Sequence, residues 1–222
     1  MATAMTTPGM NRTVADFPGW LRAGFWICIG IAVAAVIRRM IALSTAGTSA
    51  STPPLNELDA WFQAHAVLTW VHISVALAFV IMLPFVFRVS TGTSDTLEKA
   101  FFILGTTTGA TAYGMSRYAV GGWPERSAVL VFDTLFLVSL AKAYAMRREG
   151  NTEKQRVWMI RAVAVLLGIA STRPVMAVFF ATQRLSHLTP DKFFGIAFWI
   201  GFSMNTVVIE LWLRSAMKRT HT

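Results

Sequence analysis

Six long apolar segments constrain this chain more than any other feature. They cover residues 21–43, 65–87, 97–118, 128–146, 157–181 and 193–213. A helix needs about 20 mostly apolar residues to cross a bilayer, and each segment reaches roughly that length. The sequence therefore predicts an all-α, polytopic membrane protein with six transmembrane helices in a compact bundle.

The segments divide the chain into a tail at 1–20, a transmembrane domain at 21–214 and a basic tail at 215–222. Turn-rich or charged breaks separate the spans, and the Ser- and Thr-rich break at 44–56 is predicted to be a flexible connector. The first span is the least regular, because Arg38 and Arg39 interrupt it. A cleaved signal peptide is the alternative, but an apolar tetrad follows the double arginine, which favours a retained helix.

The positive charges predict the orientation of the bundle. If the N-terminus lies inside, thirteen of the 20 lysine and arginine residues fall on the inside and seven on the outside. Basic residues accumulate on the cytoplasmic side of membrane proteins. Both termini are therefore predicted to be cytoplasmic, in a bacterial inner membrane.

Composition agrees with a membrane protein and excludes several other classes. The chain is 55% hydrophobic and 14% charged, whereas soluble domains carry about a quarter charged residues. Its net charge of +9 is explained by basic residues flanking the spans, so no nucleic acid is expected as a partner. The single cysteine, Cys28, excludes an intrachain disulfide.

Polar side chains inside apolar spans mark the candidate sites, because charge is costly in hydrocarbon and must find partners. Counted by helical rise, one group lies in the outer half of the bundle. We predict that it forms a ligand-binding site; its members are His72, Tyr113, Arg117, Asp133 and Arg173. Asp133 and Arg173 are expected at one level, where Pro174 predicts a kink that could line a cavity.

Two further charges lie near the cytoplasmic ends of their spans. Arg161 is on the fifth span and Glu210 is on the sixth. Their equal depth predicts an ion pair whose role is to hold these two helices together.

Histidine chemistry has little support in the sequence. His65 and His72 share a helix face but are about 10 Å apart, so they cannot ligate one ion. Haem ligation through a histidine and Met82, Met115 or Met176 stays open, and no metal site is predicted. No catalytic motif is present, which favours a protein without enzymatic activity and leaves the cofactor unknown.

Over about 61–214 the chain resembles the predicted bacterial membrane proteins of the domain-of-unknown-function 2306 family. The resemblance is carried by the stretch 70–84, the block Gln155-Arg-Val-Trp-Met-Ile-Arg161, Thr172-Arg-Pro174, Trp199, Asn205 and Glu210-Leu-Trp-Leu-Arg214. It implies the architecture but no established activity. His72 matches a family histidine, whereas Gln155 replaces another and 96–99 lacks the third.

Three functions remain open from the sequence. The first is a non-enzymatic accessory or interaction subunit of a membrane complex. The second is a protein that binds a quinone, a haem or a lipid in the outer half of the bundle. The third is a small transporter or proton pathway along Asp133, His72 and Arg173. The lipid bilayer is the expected partner in all three, with other membrane subunits or a homodimer as further partners.

Overall fold

The described part of the protein consists of helices joined by short turns. The computed structural model describes residues 17–45, 59–88 and 95–218. Its six long helices are α1 (Gly19–Ser44), α2 (Ala66–Arg88), α3 (Asp95–Ser116), α4 (Gly122–Arg148), α5 (Thr152–Ser186) and α6 (Pro190–Lys218). The described ranges contain no strand. Most of the predicted connector at 44–56, both chain ends and the break at 89–94 lie outside the described residues.

Five of these helices are long and apolar enough to cross a membrane: α1, α2, α4, α5 and α6. The chain is therefore a multi-pass membrane protein. The helix α3 coincides with the third predicted span but is not among the five. Asp95, Glu98 and Lys99 at its start, and a run of threonines and glycines at its centre, lower its apolar character. Whether α3 is a sixth span stays a prediction.

The helix ends differ from the predicted spans by up to six residues, and the largest difference is at the connection between α3 and α4. The third span was predicted to reach residue 118, but α3 ends at Ser116. The fourth was predicted to begin at 128, yet α4 begins at Gly122. Pro124 stands in the first turn of α4, where its missing N–H has no helical partner to lose. The Gly-Gly-Trp-Pro break is thus mostly helix, and the turn is shorter than predicted.

The helices pack in a closed circuit. Each of α1 to α5 contacts the next, α5 returns to contact α1, and α6 packs against α4 and α5. Phenylalanine rings fill the space between α2, α3 and α4. The ring centroid of Phe79 lies 5.1 Å from that of Phe101 and 6.0 Å from that of Phe136. The core between these three helices is therefore packed by aromatic rings at this level.

Small residues let the helices approach closely. On α3, a side chain at Gly105 would meet Leu140 and Phe79, and one at Gly109 would meet Leu137. This Gly-xxx-Gly spacing therefore serves packing between helices of one chain.

Charged residues join the start of α3 to the end of α4. Arg147 bonds to Asp95, and its Nε lies 3.0 Å from Glu98 Oε2. Lys99, whose Nζ lies 2.5 Å from Asp95 Oδ2, lowers the pKa of that carboxyl. The Lys99–Asp95 pair is exposed and contributes little, whereas Arg147 and Glu98 are half-buried and join the two helix ends.

Candidate functional site

Asp133 lies between α4 and α3 rather than beside Arg173. Its Oδ1 faces Gly109, 3.1 Å from where a Cβ of that residue would be. Its Oδ2 is buried and has no hydrogen-bond partner among the described residues. An unpaired carboxylate inside an apolar bundle is destabilising unless it is protonated or binds a cation.

His72 is held by α3. Its Nδ1 lies 2.9 Å from the hydroxyl of Thr111. That hydroxyl donates its own proton to the carbonyl of Thr107 at 2.8 Å, so its oxygen is free to accept a hydrogen bond from the imidazole. His72 therefore stands in the α2–α3 contact as a hydrogen-bonded side chain.

Tyr113 and Arg117 occupy the end of α3 in different surroundings. The Tyr113 hydroxyl bonds to the hydroxyl of Thr134 on α4. Arg117 lies just beyond the helix, in the turn after Ser116, and is exposed. Whether the two residues contribute to a common site stays a prediction.

Arg173 has a different set of neighbours from those expected. It interacts electrostatically with Glu125 at the start of α4 and with Arg38 near the end of α1, and Arg39 in turn interacts with it. Its guanidinium Nη1 lies 4.0 Å from the sulfur of Met176. No hydrogen bond or ion pair joins any two of the five candidate ligand residues in the ranges that the structure describes.

Arg161 and Glu210 do meet. Arg161 Nε donates to Glu210 Oε2 at 2.9 Å, and its Nη2 donates to Oε1 at 3.3 Å. Arg214, one turn further along α6, donates to the same carboxylate at 3.1 Å. The Arg161 guanidinium also lies 4.5 Å from the ring centroid of Trp158. The pair thus links α5 to α6; that its role is only structural stays a prediction.

A second polar cluster was not foreseen from the sequence. Asp59 accepts hydrogen bonds from Arg39 Nη1 at 2.6 Å and from Arg38 Nη2 at 3.2 Å. It begins a short helical turn over 59–63 that precedes α2. The double arginine was the signal that could have pointed here, since a helix seldom keeps two guanidinium groups near its end without an acidic partner.

The same turn is fixed to α1 and to the end of α3. Gln63 Nε2 donates to the carbonyl of Leu43 at 3.0 Å, which satisfies a carbonyl at the end of α1. Trp61 Nε1 donates to the carbonyl of Tyr118 at 2.8 Å. The rings of His65 and Tyr118 lie 3.8 Å apart between centroids. His65 is therefore engaged by packing at this end of the bundle.

An apolar cavity of about 160 Å³ lies between α1, α5 and α6. Aromatic side chains from the start of α1, including Trp20 and Phe25, line it together with aliphatic residues of α5 and α6. Cys28 and Asn205 contribute polar groups to the lining. There Cys28 Sγ lies 3.9 Å from the Ser171 hydroxyl, which donates to Asn205 Oδ1 at 2.8 Å. The cavity can hold an apolar group and offer it one amide.

Neither the comparison with known proteins nor a metal site in the described ranges assigns a function to the chain. A comparison of the chain with known protein families, curated proteins and solved structures finds no match. Within the described ranges, no three His, Cys, Asp or Glu residues lie close enough together to hold a metal ion. The two polar clusters and the cavity are therefore the candidate functional features of the described chain.

Replacing Asp133 tests whether its carboxylate destabilises the folded protein. We expect Asp133→Asn to raise the free energy of unfolding by about 1 kcal/mol, because a neutral amide is less costly to bury than an unpaired carboxylate. Denaturant titration in mild detergent measures the change. Asp191→Asn, at an exposed position in the first turn of α6, is the control and should have little effect. A loss of stability in Asp133→Asn would contradict this view and indicate a bound cation.

Proposed function

We propose that the protein binds an apolar membrane molecule, a lipid chain or a quinone ring, in the cavity between α1, α5 and α6. The observation that carries the proposal is the cavity itself, with its volume of about 160 Å³. An engineered cavity of about 150 Å³ with apolar walls stays dry and takes up benzene. The volume thus suits one ring or a short length of hydrocarbon chain.

The position of the cavity supports a ligand that arrives from the bilayer. Trp20, on its lining, is exposed on the outer surface of α1, and Val208 is exposed on α6. Both helices are long and apolar enough to span a membrane, so the surroundings of these side chains are lipid. A membrane molecule can enter sideways without crossing water.

The amide of Asn205 supports a ligand with one polar group. Its Oδ1 accepts from Ser171, and its Nδ2 donates to the carbonyl of Ala164 over a long 3.4 Å. The second amide hydrogen can donate to a carbonyl oxygen of a quinone or an ester. Haem suits the cavity less, because its lining contains no histidine.

Filling the cavity from α1 tests this proposal. Gly24 lines it, and a side chain at Gly24 would meet no atom within 4 Å. We expect Gly24→Leu to occupy the space and to reduce the bound lipid or quinone at least tenfold in native mass spectrometry. Gly30→Leu is the matched control, since Gly30 is equally unobstructed but lies on the exposed face of α1. Equal retention in the two variants would refute the proposal.

The accessory-subunit role is a second candidate, favoured by the way the chain uses its own charges. Arg161 and Arg214 both pair with Glu210, and Asp59 is shared by Arg38 and Arg39 of α1. Charged side chains that pair within the chain stabilise the bundle itself, which suits a scaffold that assembles with other membrane proteins. The same mass spectra report this, because a partner subunit or a second copy adds a protein mass that a monomer lacks.

The proposal also includes the number of spans, the orientation and the location of the protein. We take α3 as the sixth span, place both termini in the cytoplasm from the distribution of lysine and arginine, and assign the protein to a bacterial inner membrane. Membership of the domain-of-unknown-function 2306 family is supported by Trp158-Met-Ile-Arg161 followed by Arg173. That family would provide the architecture without an activity.

A further inference from the structure

Three arginines and two carboxylates meet at the end of the bundle where α1 finishes and α4 begins. We call them the arginine cluster: Arg38, Arg39, Arg173, Asp59 and Glu125. Arg38 and Arg39 come from α1, Arg173 comes from α5, Asp59 from the turn before α2, and Glu125 from the first turn of α4. The cluster therefore carries one positive charge in excess.

Both carboxylates are already engaged by other groups. Asp59 is shared between Arg38 and Arg39, with contacts of 3.2 and 2.6 Å. Glu125 is buried and its Oε2 accepts the backbone N–H of Gly121 at 2.5 Å. Glu125 attracts Arg173 electrostatically, but no hydrogen bond joins the two in the described ranges. The excess positive charge is therefore shared among the three guanidinium groups, of which Arg173 has no hydrogen bond to a carboxylate in the described ranges.

Arg173 keeps most of its donors unused. A guanidinium has five N–H donors, and the hydrogen bond that its side chain makes among the described residues is the one to the sulfur of Met176 at 4.0 Å. Sulfur is a weak acceptor. Arg173 keeps some exposed surface, and the exposed side chain of Arg38 near it gives the cluster an open side. A planar guanidinium of this kind is suited to bidentate binding of an oxyanion.

The aromatic residues around the cluster place it at the depth of lipid headgroups. Trp61 is 45% exposed and Trp123 is 69% exposed; Trp61 lies in the same turn as Asp59, and Trp123 is two residues from Glu125. Exposed tryptophan is characteristic of the membrane–water interface. Arg38, whose side chain is 45% exposed, offers the cluster an outward-facing edge.

We propose that the arginine cluster binds a phosphate oxyanion, with Arg173 as its main donor and Arg38 at its outer edge. A phosphodiester carries one negative charge, which balances the excess of the cluster. The phosphate of a membrane phospholipid is one source of this group, and free inorganic phosphate is the other. This site is separate from the apolar cavity and does not depend on the function proposed for it.

The test measures stabilisation of the purified full chain in mild detergent by defined additives. Dioleoyl phosphatidylglycerol supplies a phosphodiester, dioleoylglycerol supplies the same chains without phosphate, and inorganic phosphate at matched ionic strength supplies the free anion. We expect the phospholipid to raise the melting temperature of the wild-type protein and dioleoylglycerol to leave it unchanged. Stabilisation by inorganic phosphate as well would identify a site that also takes the free anion; its absence would assign the site to lipid.

Substitutions in the arginine cluster then test whether the stabilisation by phospholipid arises there. Arg173→Gln and Arg38→Gln should weaken the apparent affinity for the phospholipid, by about tenfold for Arg173→Gln, since a charge-assisted bidentate contact is lost. Arg126→Gln, at an exposed arginine of α4 next to Trp123, should retain wild-type affinity. Equal stabilisation of the wild-type protein by dioleoylglycerol and by the phospholipid would overturn the proposal, even if Arg173→Gln does not fold. So would wild-type affinity in both cluster variants.

Discussion

Gly201→Ala is expected to lower the free energy of unfolding by about 2–3 kcal/mol. A Cβ at Gly201 would lie 2.6 Å from the backbone nitrogen of Thr172 and 2.9 Å from its Cα. These are backbone atoms of α5, so they cannot move aside unless α6 separates from α5. Because α5 and α6 form the most extensive helix contact in the bundle, separation also costs packing along its length.

The matched control for this substitution is Gly30→Ala. A Cβ at Gly30 meets no atom within 4 Å, and alanine is favoured over glycine in a helix by about 0.5–1 kcal/mol. Gly30→Ala should therefore leave stability unchanged or slightly raised. Denaturant titrations of both variants in the same detergent compare the two positions. Similar stabilities for the two variants would mean that α5 and α6 do not pack as closely as described.

Glu210→Gln is the second substitution with a large expected effect. It removes the carboxylate that Arg161 and Arg214 share, and it leaves the Arg161 guanidinium without an anion on α6. Breaking a buried pair costs about 3–5 kcal/mol, and an exposed pair costs under about 1 kcal/mol. The side chains of Arg161 and Glu210 are 21% and 31% exposed, so we expect a loss of about 2 kcal/mol.

A double-mutant cycle separates the pair from its surroundings. In Arg161→Gln/Glu210→Gln the half-buried guanidinium is removed together with its anion, and the charge left without a partner is the exposed one of Arg214. Stability should therefore recover by about 1 kcal/mol relative to the sum of the single losses. Glu153→Gln, at an exposed glutamate in the first turn of α5, is the control for loss of one negative charge. Strictly additive losses in the cycle would show that Arg161 and Glu210 do not stabilise each other.

The sequence predicts well the features that depend on composition along one helix. Each of the six apolar runs coincides with a helix, because backbone hydrogen bonds in an apolar environment must be made within the segment. The ends of helices are predicted less well. At Gly121 to Pro124 the residues typical of a turn are also tolerated in the first turn of a helix, so local chemistry alone could not place the boundary.

The contacts between helices cannot be predicted from the sequence of one helix alone. The helical rise gives the depth of a residue, and this placed Arg161 and Glu210 at a common level, where they meet. The same reasoning brought Asp133 and Arg173 to one level, but Asp133 faces Gly109 of α3 while Arg173 interacts with Glu125 and Arg38. Depth follows from counting residues, whereas the direction of a side chain around the helix axis follows from packing.

The sequence by itself determined that this is an all-helical, multi-pass membrane protein, because the length and apolar character of its segments leave few other ways to satisfy the backbone. Only the tertiary structure decided which polar side chains meet. It brought Asp59 to the double arginine, left Asp133 Oδ2 without a partner among the described residues and opened the cavity between α1, α5 and α6. The physical reason is that insertion into a bilayer depends on the length and apolar character of each helix alone, whereas the partners of a polar side chain depend on how neighbouring helices are rotated against one another.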